Sequence, residues 1–79
     1  MQEWMNNLAL AKQGDLTAFN LVVREFQDMA IGYAYSILND FHLAEDAAQE
    51  AFVEAYFCLK NLQELIAFPA WFRKIIFRD

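Results

Sequence analysis

A chain of 79 residues with 58% hydrophobic and 16% aromatic side chains, eight of them Phe, is one small domain carrying more apolar material than so limited a core absorbs. Its net charge of −5 argues against a protein that holds duplex DNA unaided, because such binding rests on Lys and Arg at phosphates. A single cysteine excludes an internal disulfide and fits a reducing compartment. No basic segment with an apolar run opens the chain, and the stretch from Met29 to Leu38, broken by Gly32 and Ser36, is too short to span a bilayer. A soluble, cytoplasmic protein with no membrane partner is expected.

Trp4, Leu8 and Ala11 stand at the spacing of one helical face and predict a first helix over residues 3–12. Gly14 is placed to end it in a left-handed conformation. Asp15 follows where an N-cap belongs. Leu16, Phe19, Val23, Phe26, Ala30, Tyr33 and Ile37 then keep a 3/4 spacing that predicts a second helix over residues 16–38. Gly32 within it costs roughly 1 kcal/mol relative to Ala, a cost that close packing against a neighbouring helix would offset. Residues 39–42 read as a turn, with Asn39 suited to a C′ position and either Asp40 or His42 capping the next helix.

The third helix, from Leu43 to near Lys60-Asn61, has no Gly or Pro and is dominated by good helix formers. At about 100° per residue, Ala44, Ala48, Ala51, Phe52, Ala55, Cys58 and Leu59 share one apolar side, which makes Cys58 a buried, inert thiol. The opposite side carries Asp46, Gln49, Glu50 and Lys60, with Glu45 and Glu54 at its margins and Val53 and Phe57 among the acids. Two readings fit this face. It is built to be covered by something basic, or it is an ordinary acidic surface with two stray apolar residues. Residues 62–67 form a connector, and Pro69 marks the first position of a last helix running to Phe77. With no strand pattern and no repeat, the fold class is all-α, with three to four helices.

Catalytic chemistry lacks a supporting cast. Thr17, Ser36, His42 and Cys58 build no triad by spacing. Gly14 and Gly32 belong to no phosphate loop. His42 and Asp46 lack a third metal ligand. The helix acids fall outside the shielded cleft that acid–base work needs. The chain reads as a non-enzyme with no cofactor and no metal. Its charge is uneven: residues 40–67 carry six acids against Lys60, whereas residues 68–79 carry Arg73, Lys74 and Arg78 against Asp79. An acidic middle and a basic end suggest two surfaces with different partners.

Ala44-Glu45-Asp46-Ala47-Ala48-Gln49-Glu50-Ala51-Phe52 resembles the A-E-D-x-x-Q-E-x-F signature of region 2.2 in bacterial sigma-70 family factors, the extracytoplasmic-function type especially. Gly14-Asp15-Leu16-Thr17-Ala18-Phe19-Asn20-Leu21-Val22 resembles the G-D-x-x-A-F-x-x-L segment that opens region 2. Phe68-Pro69-Ala70-Trp71-Phe72-Arg73-Lys74-Ile75 is similar to the F-x-x-W-L-x-R-I segment of region 2.3. The three motifs lie in the family's order.

The resemblance implies a single compact sigma-2 domain over residues 1–79. Its region 2.2 helix would dock on the clamp helices of the RNA polymerase β′ subunit through Asp46, Gln49 and Glu50, with Val53 alongside. The resemblance also implies capture of the −10 promoter element as single strand within holoenzyme, by stacking and phosphate contacts. Arg73, Lys74, Phe77 and Arg78 are the candidates, together with the Asn61–Ala67 connector, while Trp71 is assigned to the core. The family usually has Asn where this chain has Arg78, and the rest of region 2.4 and all of region 4 are missing. A fragment of a longer factor would explain this. The favoured explanation is a stand-alone subunit similar to RsoA-type co-sigmas, in which a separate subunit supplies region 4. The alternative is a degenerate sigma-2 interaction module, a dimer or sequestering factor, that opens no promoter.

Overall fold

Two aspartates set where helices start. In the computed structural model, which describes residues 3–78, the Asp15 carboxylate accepts the Ala18 N–H at 3.0 Å and that of Asp40 accepts the Leu43 N–H at 3.0 Å. Each satisfies one of the orphan donors at a helix N-terminus. Asp79, counted in the charge of the basic end, lies outside the described residues.

Four α-helices result: α1 (Glu3–Lys12), α2 (Leu16–Leu38), α3 (Phe41–Cys58) and α4 (Phe68–Arg78), with single 3-10 turns at Leu59–Asn61 and Leu65–Ala67. No strand occurs among the described residues. The first two helices match the expected spans. α3 opens at Phe41, ahead of the expected Leu43, because Asp40 rather than His42 takes the cap and the two residues after it enter the first turn. Between α2 and α3 the chain reverses at Asn39, whose φ of 56° is left-handed and whose N–H bonds the Tyr35 carbonyl at 2.8 Å. Gly14, at φ 102°, makes the equivalent stop after α1. The connector carries its 3-10 turn straight into α4. Pro69 occupies the first turn there, where its missing N–H costs nothing.

At 1.5 Å per residue α2 is about 35 Å long, and the molecule's longest extent is 34 Å. α2 is therefore the spine. α1 and α3 pack along it, and α4 closes against both α2 and α3. Ala44, Ala48, Ala51 and Ala55, all buried, give α3 a flank of small residues facing the core. Small side chains let helix axes approach.

The largest side chains of the interior are mostly aromatic. Phe72 stacks on Phe68 with centroids 5.4 Å apart and meets Phe52 at 4.5 Å, while Phe68 also touches Phe26 at 5.2 Å and Trp4 at 6.3 Å. Such pairs add to burial by roughly 0.5–1.5 kcal/mol each. Among the described residues no polar or charged side chain is buried.

Several expectations need correction. Gly32 is exposed, and a Cβ built on it would meet nothing within 4 Å, so no neighbouring helix compensates for it. Gly32→Ala is expected to stabilise the domain by roughly 0.5–1 kcal/mol, read as a higher urea midpoint at unchanged slope. Cys58 is half-buried, since α3 ends there and the 3-10 turn swings Leu59, not the thiol, into the core. Trp71 is also only half-buried, tilted against Phe68 at 5.9 Å. Leu16 and Ile37, at the two ends of the spine, are exposed. No described helix is long and apolar enough to cross a membrane.

Candidate functional site

Residues three and four apart share a helix face, so Asp46, Gln49, Glu50 and Val53 form one strip along α3. All four are exposed. No hydrogen bond or ion pair within the described residues reaches the side chains of Asp46, Gln49 or Glu50. Glu45, at the margin, lies 3.9 Å from the Nδ1 of His42 in a loose surface contact, the kind that contributes little to stability.

The strip continues into apolar surface. Val53 is 57% exposed and Phe57, one turn on, 72%. Together with Leu16 at the start of α2 they rim a groove of about 350 Å³ between α2 and α3, whose walls include Phe19, Phe52 and Tyr56. A second hollow of about 170 Å³ lies farther along the same helix pair, between Val23, Gln27 and Ile31 on one side and Glu45 and Gln49 on the other. Glu50 shares a further shallow hollow with Val53, which also rims the apolar groove, so a free carboxylate stands next to apolar surface. The carboxylates can accept charge-assisted bonds from cations, and the groove can take apolar side chains from the same visitor.

The basic surface lies on α4. Arg73 and Lys74 are exposed with no acidic partner among the described residues. Lys74 and Trp71 line a hollow of about 370 Å³ with Asn61, Gln63 and Glu64 of the connector. The start of that connector is pinned by Lys12, whose Nζ donates to the Leu62 carbonyl. Phe77, 69% exposed, and Arg78 line a different hollow, with Ile37 and Leu38 at the end of α2 and Ala47 of α3. Arg78 is not free: its guanidinium donates to the Glu54 carboxylate of α3.

Residues 22–78, which include both faces, match the model of the family described as Sigma-70 region 2. The chain belongs to the sigma-70 region 2 family. It is 38% identical over 64 residues to the RNA polymerase sigma-H factor of Pseudomonas aeruginosa, covering 81% of this chain and 33% of that protein. It is 36% identical over 64 residues to the ECF RNA polymerase sigma factor SigW of Bacillus subtilis, covering 81% of this chain and 34% of that one. Against the ECF RNA polymerase sigma-E factor of Haemophilus influenzae the identity is 34% over 80 residues, covering 95% of this chain and 41% of the relative. The chain therefore spans well under half the length of these relatives. No solved structure matches it.

In this sigma region 2 domain the acidic strip lies as its sequence suggested, but the four basic-end candidates do not form one cluster. Lys74 opens onto the connector, whereas Phe77 and Arg78 turn towards the junction of α2 and α3. Trp71, assigned to the core, packs against its edge and also forms a wall of the connector hollow. Leu16 went unnoticed as a surface residue. It keeps the period of the buried stripe, and only its place at the first turn of α2 leaves it outside. No cluster of three or more metal-ligating side chains occurs among the described residues.

Proposed function

We propose that this domain acts in the cytoplasm as a transcription-initiation subunit. It docks on the β′ clamp helices of RNA polymerase through Asp46, Gln49 and Glu50, with Val53 as an apolar anchor beside them. Within holoenzyme it engages the −10 element through Arg73, Lys74, Phe77 and Arg78. A separate region-4 subunit reads the −35 element.

The observation that carries this reading is the pair of unpartnered carboxylates, Asp46 and Glu50, on the same exposed strip as Val53. Carboxylates left free on a strip that ends in the exposed Val53 suit a partner helix that presents Arg or Lys next to aliphatic side chains. The chain's net charge of −5 works against independent capture of DNA, so promoter contact belongs to the assembled enzyme.

Reconstituted transcription tests the proposal. Core polymerase, this chain and a separate region-4 sigma subunit are expected to open promoter DNA, seen as permanganate-reactive thymines, only when all three are present. Failure to open any promoter would favour the alternative of an interaction module without that activity. The exposed Ile37, Leu38 and Phe77 around one hollow are what such a module would use.

A further inference from the structure

We propose that a second copy of this chain seats on the groove between the start of α2 and the end of α3, giving a weak two-fold dimer. This surface lies apart from the hollow at Ile37, Leu38 and Phe77, and the dimer does not depend on a role in transcription. The groove carries both halves of a contact. Phe57 stands on its α3 rim, largely in solvent, and Leu16 stands exposed on its α2 rim. Phe19 lies against Tyr56 at 5.0 Å, and Val23 shares a hollow with Gln49 and Phe52. The two helices therefore run antiparallel, with Leu16 close to the level of Phe57 and Arg24 close to that of Glu50. A two-fold axis along the groove sets the α2 rim of each copy against the α3 rim of the other, level with level. Phe57 of each copy then covers Leu16 of the other.

The charges agree with that pairing. Arg24 is the only basic residue of α2, and it is exposed with no acidic partner among the described residues. It lies one turn beyond Asn20, which lines the groove, and so shares that rim. Glu50, equally free, stands one turn before Val53 on the α3 rim. A cation on one rim and an anion on the other make the groove complementary to itself under such an axis, and the opposite charges meet twice. The area is sufficient. Leu16, Val53 and Phe57 are 56, 57 and 72% exposed, on the order of 300 Å² of apolar surface per copy for side chains of these sizes. Apolar atoms supply about 56–65% of an interface, so with its polar rim the dimer buries about 1,000 Å² in total, the lower limit for a specific contact. That size fits a reversible pair.

Sedimentation equilibrium of the full chain at low salt tests this. The apparent mass is expected to rise from the 9.2 kDa of one chain towards twice that value between about 10 and 500 µM, the range of a weak interface. Phe57→Ala should weaken association at least about tenfold, because each substitution counts twice across a two-fold axis. Arg24→Glu and Glu50→Lys should each weaken it about fivefold by setting like charges together, and Arg24→Glu/Glu50→Lys should restore it. Helical circular dichroism should stay unchanged throughout, since every side chain altered is exposed.

A wild type that keeps the mass of one chain at the highest concentration would overturn the dimer and leave the groove to a different protein. A dimer that survives Phe57→Ala, or that Phe77→Ala disrupts in its place, would put the second copy elsewhere and overturn this site equally. Loss in both charge reversals with no recovery in the double variant would remove the pairing of Arg24 with Glu50, and the two-fold arrangement with it.

Discussion

Glu50→Lys is expected to abolish retention of the chain on immobilised core RNA polymerase while leaving its helical circular dichroism unchanged. The Glu50 carboxylate is exposed and has no partner within the described residues, so folding does not depend on it. A surface change of that kind shifts stability by only about 0.5 kcal/mol in either direction. Binding is another matter. A hydrogen bond to a charged partner contributes roughly 1.5–3 kcal/mol. Reversal removes it and also sets two cations against each other, which costs several kcal/mol more. A loss of about 3 kcal/mol already raises Kd by more than about a hundredfold, beyond what a pulldown at micromolar concentration detects. Asp46→Lys should behave alike, being one turn away on the same strip. Normal retention of both variants would rule out the docking proposal.

Phe72→Ala is expected to have the largest effect on the fold itself. Phe72 is fully buried, stacked on Phe68 and packed against Phe52, so its ring joins α3 to α4. Truncating a buried Phe costs about 3–5 kcal/mol, through lost transfer energy and the cavity left behind. A chain of 79 residues has only about 4–12 kcal/mol of stability in total, at the usual 0.05–0.15 kcal/mol per residue. The variant should therefore lose at least about a quarter of that stability, and all of it at the lower bound, read as a Tm lowered by about 12–40 °C. A Tm within about 5 °C of wild type would mean that the aromatic cluster carries far less of the fold than its packing implies.

The helices were legible because each carries its own punctuation. Asp15, Asp40, Asn39 and Gly14 mark ends by local chemistry that involves neighbours within four residues. The acidic strip was legible for the same reason, since helical rotation alone places Asp46, Gln49, Glu50 and Val53 together. What the sequence did not disclose depends on distant parts of the chain. Whether Gly32 meets a neighbour is decided by where α1, α3 and α4 lie, and none lies over it. Trp71 has the period of a core residue, yet the Asn61–Ala67 connector leaves a hollow against its ring. The bond from Arg78 to Glu54 joins two helices through a reversal that no local pattern announces. The basic end was therefore read as uniform when its residues turn two ways.

Both tryptophans border one ring. Trp4 lies 6.3 Å and Trp71 5.9 Å from the centroid of Phe68, the first buried and the second open to the connector hollow. The indoles thus divide the work of a built-in optical reporter. Emission from Trp4 follows whether α1 stays seated on the bundle, and emission from Trp71 follows what enters beside α4. Native light from the unlabelled chain can distinguish collapse of the domain from arrival of a guest.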